Sequence, residues 1–332
     1  MSGRAIWVQD LRKQFPGRDG PVDAVNGLDL EVKVGECFGL LGPNGAGKTT
    51  TVEILEGLTA PTSGEVEVLG LRWKTDAPAI REQIGVTLQE TRFPDKATVR
   101  EMVNLFRSFY EGGTTADAVL ERVALTPKAN AFIETLSGGQ QRRLAVALAL
   151  VGDPALIFLD EPTTGLDPQA RRQLWDVIRD LRQQGRTTLL TTHYMDEAEK
   201  LCDRVAIIDQ GKVIALGSPA ELIARIGGEH IVEFAVGDGS PEASIFGDLE
   251  SVRSSRAEGD GFALTVVEPH RAIPALLARL AERDHKLARL TTRQVSLEDV
   301  FVDMTGRHLR DLDAEADAAK PAKRGRRRAR SA

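Results

Sequence analysis

The run Gly42-Pro43-Asn44-Gly45-Ala46-Gly47-Lys48-Thr49 has the spacing G-x-x-x-x-G-K-[ST], and that spacing carries a mechanism. Its glycines let successive backbone N–H groups turn inward on an anion, and a lysine placed just after them reaches the outer phosphates of a nucleotide. The Thr49 hydroxyl is suited to ligate Mg²⁺, with Thr50 beside it in the opening turn of a helix. A second pair with chemical potential is Asp160-Glu161, entered through the apolar run Leu156-Ile157-Phe158-Leu159. At the carboxyl end of a buried strand, Asp160 can join a Mg²⁺ shell, and Glu161 can orient and deprotonate water. Alone, the first is readable as a glycine turn and the second as a polar loop entrance. Together they imply a site that binds MgATP and hydrolyses it.

These groups work only if the backbone presents them together. Short β-type runs at 5–8, 28–34 and 36–41 alternate with turns, and the last leads directly into Gly42. Residues 48–58 repeat Val52, Leu55 and Leu58 at helical spacing and stop at Thr59-Ala60-Pro61, giving strand, glycine loop and helix. From about 90 to 152 the pattern turns helical: Thr98-x-x-Glu101 is a capping box, and Met102, Leu105, Phe106 and Phe109 form one stripe. Strand patterns return at 155–159, 187–191, 204–209 and 212–216, with a helical stretch at 170–184. This alternation predicts an α/β fold with a mainly parallel, doubly wound core.

Ser218-Pro219-x-Glu221 caps a short helix that stops at Gly227-Gly228, a natural boundary. Beyond it the pattern reads as three strands within 230–268, a helix at 271–283, a strand at 287–292 and a helix at 296–304. The expected domains are therefore 1–227 with its helical subdomain near 90–152, a small C-terminal α+β domain at 228–308, and a charged, disordered tail at 309–332.

Leu136-Ser137-Gly138-Gly139-Gln140 opens another helix, and Ser137-x-x-Gln140 is readable as an ordinary capping box. Its position adds information, because Ser137 stands 89 residues after Lys48 and 23 before Asp160, with Gln89 and His193 also in place. With this set of motifs, residues 4–226 resemble the ABC ATPase family. The resemblance implies a P-loop NTPase of ABC type, with a small antiparallel β-subdomain and an inserted helical subdomain. It implies a signature loop at Leu136 to Gln140 and a loop, Gly165-Leu166-Asp167, joining two half-sites. It also implies head-to-tail pairing with a second ATPase subunit, in which Ser137, Gly138, Gly139 and Gln140 of one copy meet the γ-phosphate held by the other. By the same resemblance His193 contacts the γ-phosphate, Gln89 meets Mg²⁺ and senses the partner, and Phe15 stacks on adenine. As isolated residues, all three are readable as structural.

The ending Val295-Ser296-Leu297-Glu298-Asp299-Val300-Phe301 with Thr305-Gly306 is similar to that of ATPases serving drug, antibiotic and sodium exporters. The expected function is a motor subunit that drives export through a separate integral membrane permease, at the cytoplasmic face of the cell membrane. A soluble ABC ATPase in a non-transport role is the alternative. Chromosome-maintenance members insert long coiled coils before the signature, and translation-factor members carry tandem domains; this sequence has a compact interval and one copy of each motif.

Bulk properties narrow the classes further. The 332 residues exceed one ordinary core, and the longest apolar run, Leu144 to Val151, falls short of the roughly 20 residues of a membrane span. Two cysteines, Cys37 and Cys202, cannot build a disulfide framework and are expected to be plain buried side chains in a reducing compartment. Lys320, Lys323, Arg324, Arg326, Arg327, Arg328 and Arg330 place seven cations at the end of a chain of formal net charge −6, leaving −13 on the remainder. So acidic a body argues against a nucleic-acid partner. The tail is either a solvated charge run or a contact for an anionic membrane surface.

Overall fold

The structure, a computed structural model, describes residues 3–17, 20–87, 93–94, 96–237 and 242–307. Gln89 and the segment 309–332 lie outside the described residues. The chain runs β1 (Arg4–Phe15), β2 (Val22–Lys33), β3 (Cys37–Leu41), α1 (Lys48–Leu55), β4 (Ser63–Val68), α2 (Trp73–Gln83), β5 (Ile84–Thr87), α3 (Val99–Arg107), α4 (Ala116–Arg122) and α5 (Gly138–Leu150). It continues through β6 (Leu156–Asp160), α6 (Pro168–Gln183), β7 (Thr187–Thr192), α7 (Met195–Leu201), β8 (Arg204–Asp209), β9 (Lys212–Gly217) and α8 (Pro219–Ala224). Last come β10 (His230–Val236), β11 (Val252–Glu258), β12 (Gly261–Val266), α9 (Pro269–Glu282), β13 (Leu287–Gln294) and α10 (Leu297–Thr305).

The central sheet has the order β5-β6-β7-β3-β8-β9, with only β9 antiparallel to its neighbour. Strands β3 and β6 are buried at every position, which is why both read as unbroken apolar runs. Alternate residues serve opposite faces. Phe38, Leu40, Leu156 and Phe158 pack with Ile6, Leu11 and Leu28 of the antiparallel sheet β2-β1-β4. Leu41, Ile157 and Leu159 pack with Leu144, Ile178 and Leu201 of the helices.

Several elements differ from the sequence reading. The helix expected over 48–58 ends at Leu55, because the Leu58 N–H turns back to the Glu53 carbonyl at 2.8 Å and leaves Leu58 exposed. In the expected stripe Met102 is buried while Leu105 faces solvent, since α3 rests on the subdomain core along one side only, and Phe109 is exposed beyond the end of the helix. Helix α2 went unread: it is kinked at Asp76, carries Pro78, and buries only Ile80.

The sheet β11-β12-β10-β13 has a separate core of Phe234, Phe246, Phe262 and Leu276, covered by α9. Helix α10 instead buries Leu297, Val300 and Phe301 in the same core as Leu201 and Leu222, against α7 and α8. Asp299 joins the two parts. It accepts two bonds from Arg293 at 2.6 and 2.9 Å and one from Arg256 at 2.9 Å, while also capping α10 through Ser296.

Burial pushes the Asp299 carboxyl up, but the bonds from Arg293, Arg256 and the Ser296 backbone outweigh it and bring the pKa down to about 2. A depressed acid contributes stability above its unfolded-state pKa and loses it as pH falls through the folded one. Asp299→Asn is therefore expected to lower the unfolding free energy at pH 7 by about 2 to 5 kcal/mol. In denaturant titrations, the gap between the two proteins should shrink as pH drops from about 4 to about 2.

Candidate functional site

Three neighbouring parallel strands, β6, β7 and β3, end at one level, with Leu41 in register with Thr192 and Asp160 with Thr191. The loop 42–49, Glu161 and His193 are the residues that follow these strands, so one sheet edge receives all three.

In the loop, Pro43 and Ala46 are buried, Asn44 is half-buried, and Gly45 and Thr49 are exposed. Lys48 is buried and bends back, donating from Nζ to the carbonyls of Gly42 (2.7 Å) and Pro43 (3.0 Å). The N–H groups of Gly45, Gly47, Thr49 and Thr50 take no acceptor among the described residues. Four donors at the head of α1, with its dipole behind them, form a cradle for phosphate oxygens. Glycine at 47 is required: its φ is +102°, and a Cβ there would stand 2.3 Å from the Ala24 carbonyl oxygen. The β8–β9 turn supports the loop from beneath, as the Gly211 N–H donates to the Ala46 carbonyl at 2.9 Å.

The acid pair is buried, and its two members differ in charge environment. Burial raises the Asp160 carboxyl above its ordinary range, opposed by its bond from the Thr191 hydroxyl and reinforced by the neighbouring Glu161. Glu161 is held below its ordinary range, chiefly by His193, whose Nδ1 lies 3.4 Å from Oε1, with Lys48 and the Thr164 hydroxyl acting in the same direction against burial. Glu161 also sits at φ +42°, in the left-handed region that non-glycine residues rarely enter. Four bonds hold it there: its N–H donates to Thr191 Oγ1 at 2.9 Å, and Arg142 donates to the carbonyls of Asp160, Glu161 and Pro162 at 2.6 to 2.8 Å. Among the described residues no cluster of three His, Cys, Asp or Glu side chains could form a metal cage. Thr49 and Asp160 nonetheless supply the hard oxygens that Mg²⁺ takes when most of its shell is phosphate and water.

A second locus lies on the helix side. Ser137 caps α5, with its hydroxyl accepting the Gln140 N–H at 3.3 Å and the Gln140 side chain returning to the Ser137 N–H at 3.0 Å. Asp167 caps α6 by accepting the N–H groups of Gln169 and Ala170, both at 2.9 Å. The two helix N-termini adjoin so closely that a Cβ on Gly139 would lie 2.6 Å from the Ala170 Cβ. Between them is a recess of about 220 Å³ lined by Ser137, Gly139, Gln140, Asp167 and Ala170. No residue of the loop 42–49 lines it. Gly138 stands exposed at its rim, and a Cβ there would meet nothing.

Phe15 is 39% exposed, with the Lys13 ammonium 4.9 Å from its ring centroid, so the ring is available as a platform and is no core residue. Arg142 and Thr191 are the functional residues that sequence reasoning missed. An arginine two residues beyond Gln140 on a mostly apolar helix was the available signal, but its targets are eighteen to twenty residues away.

The ABC transporter family pattern matches residues 25–164. Nod factor export ATP-binding protein I of Burkholderia orbicola is 41% identical over 319 residues, covering 94% of this chain and 100% of that protein. The protein of the same name from Rhizobium etli is 38% identical, covering 92% and 94%. The chain belongs to the ABC transporter ATP-binding family. It is an ATP-binding, ATP-hydrolysing subunit. Among solved structures, a dimeric ATP-binding cassette in a post-hydrolysis state with ADP and Pi is 28% identical at a TM-score of 0.59, covering 64% of this chain and 98% of its own. CbiO1 from Clostridium perfringens, part of an ABC transporter complex, is 28% identical at 0.60, covering 67% and 92%. The cassettes thus account for about two thirds of this ABC ATPase, and the Nod factor relatives for nearly all of it. No described helix is long and apolar enough to cross a membrane.

Two glycines separate space from backbone conformation. Gly47→Ala should abolish the thermal stabilisation that ATP confers, because the new methyl displaces the loop. Gly45→Ala, at φ +82° with open space around it, should retain part of that shift at a folding cost of about 1 to 2 kcal/mol. Thermal melts with and without ATP distinguish them.

Proposed function

We propose that this ABC ATPase is the motor subunit of an exporter, pairing head to tail with a second copy and moving a separate integral membrane permease. The observation that carries the reading is the buried Glu161 carboxyl beside His193, in the same chain as a separate recess between the N-termini of α5 and α6. On this reading Lys48 leaves its own loop carbonyls for phosphate oxygens, and the N–H groups at the head of α1 hold the phosphates in place. Glu161 takes the proton of the attacking water, and His193 fixes the Glu161 carboxylate while facing the γ-phosphate. Thr49, Asp160 and Gln89 would hold Mg²⁺, which would supply neutralisation of charge on the phosphate oxygens. Phe15 stacks on adenine. Ser137, Gly138, Gly139 and Gln140 offer the recess to the partner's γ-phosphate, with Asp167 at the join.

Export is supported by the names of the Nod factor relatives and by their near-complete overlap with this chain. The permease contact is assigned to the surface of Gln89, Phe93, Pro94, Met102, Phe106 and Phe109, of which Phe109 is exposed, Phe93 and Phe106 pack partly against the core and Met102 is buried. The division into 1–227, 228–308 and 309–332 is retained, with α10 as a brace shared by the first two parts. We assign the subunit to the cytoplasmic face of the cell membrane, and its acidic body argues against a nucleic-acid partner.

Glu161→Gln is the direct test. It is expected to bind ATP normally, to lose turnover by roughly 10² to 10⁴-fold, and to accumulate as an ATP-bound dimer on size exclusion. Steady-state hydrolysis above about a tenth of wild type, with a monomer in ATP, removes Glu161 from the role.

The basic end of the segment 309–332 is assigned to anionic lipid, where each Lys or Arg contributes on the order of 1 kcal/mol at low salt. Deleting 320–332 should leave ATPase activity nearly unchanged and lower co-sedimentation with anionic vesicles but not with neutral ones. Equal sedimentation of the two proteins with anionic vesicles contradicts this assignment.

A further inference from the structure

His193 is not held by Glu161 alone. Tyr194, the N-cap residue of α7, packs against the imidazole in a tilted contact, with ring centroids 4.1 Å apart and planes at 43°. On that tyrosine lies Arg171, its guanidinium carbon 4.5 Å from the ring centroid. The Arg171 Nε is buried and accepted by no group among the described residues, so the ring face is what that edge of the cation has in place of a hydrogen bond. Arg171 sits one turn into α6, and its N–H donates to the carbonyl of Asp167 at 3.0 Å. The Tyr194 backbone is fixed separately, by donation of its N–H to Thr192 Oγ1 at 2.9 Å. Asp167, Arg171, Tyr194 and His193 thus form a continuous line from the cap of α6 to the imidazole.

We infer that Arg171 and Tyr194 are positioning residues for ATP hydrolysis, setting the plane of His193 against Glu161 and linking it to the Asp167 loop. The inference rests on the role proposed above for His193. An imidazole whose Nδ1 has only a 3.4 Å contact with Glu161 and no well-aligned hydrogen bond can swing about that contact, and a ring packed against it restricts the swing. Because Asp167 closes the recess and Arg171 follows it on the same helix, a displacement of that loop on pairing would be transmitted to His193 through the stack.

The test uses the full chain and separates turnover from binding. Tyr194→Ala and Arg171→Met are each expected to lower kcat about tenfold with KM for ATP within about twofold, since misplacing a reacting group by a fraction of an ångström costs on that scale. Tyr194→Phe keeps the ring and should recover most of the turnover. Tyr194→Ala/Arg171→Met should be little worse than either single change, because each breaks the same stack. Arg171 is only half-buried, so Arg171→Met reads the proposal even where Tyr194→Ala fails to fold, and ATP-dependent thermal shifts certify both. Wild-type kcat in Arg171→Met, Tyr194→Phe as defective as Tyr194→Ala, or additive losses in the double variant overturn the stack while leaving the His193 reading intact, provided His193→Ala is inactive. Undiminished turnover in His193→Ala overturns that reading and the inference with it.

Discussion

One half-buried guanidinium sets the geometry on which both halves of the site depend. Arg142 projects from α5, whose first turn carries Ser137 to Gln140, and ends on the carbonyls of Asp160, Glu161 and Pro162. Those carbonyls belong to a turn that would not keep its shape unaided, because Glu161 occupies the left-handed region at a cost of order 1 kcal/mol or more. Charge-assisted bonds to three successive carbonyls offset that cost. The same turn leads into Thr163, Thr164 and the Asp167 cap, so the acid pair, the α5 N-terminus and the α6 N-terminus are joined by direct hydrogen bonds and a short run of chain.

The adjacency of the two acids could have been a liability, since like charges in a buried site resist joint ionisation. The fold resolves this by giving them unlike neighbours. Burial and Glu161 push Asp160 up against the Thr191 hydroxyl, Lys48 and Arg142, while Glu161, with Lys48 acting on it too, is favoured in its ionised form chiefly by His193. Titrating pairs whose environments push them apart mark a division of labour between base and ligand. Thr191, in the middle of this arrangement, serves both at once: its hydroxyl donates to Asp160 and accepts from the Glu161 N–H.

Much of this was legible in the residues, and the limits have physical causes. The glycine loop, the apolar run into Asp160-Glu161 and the Ser137 cap are local patterns, and local patterns survive folding. The order β6-β7-β3, which brings His193 between the loop and the acids, follows from long-range pairing that no short window contains. Helix α2 was missed because Pro78 and a single buried residue erase its period. The stripe beginning on α3 was over-read: Leu105 lies at helical spacing and Phe109 beyond the helix end, and only the tertiary context decides which of those positions has a neighbour. Arg142 was invisible as a site residue for the same reason, since an arginine on a helix declares its charge but not its target.

The placement of α10 bears on how nucleotide chemistry and the C-terminal part communicate. Its Leu297 N–H donates to the Glu199 carboxylate at 2.7 Å, and Glu199 lies on α7, the helix that begins directly after His193 and Tyr194. At its other side α10 is tied to β13 and β11 through Asp299. Helix α7 is consequently gripped from two directions, by the stack from α6 at its beginning and by α10 near its end. With Leu297, Val300 and Phe301 fully buried beneath it, α7 cannot shift without opening a cavity or moving the C-terminal sheet as well. A C-terminal part fastened in this way constrains the position of His193 in the cassette, rather than hanging from it by a linker.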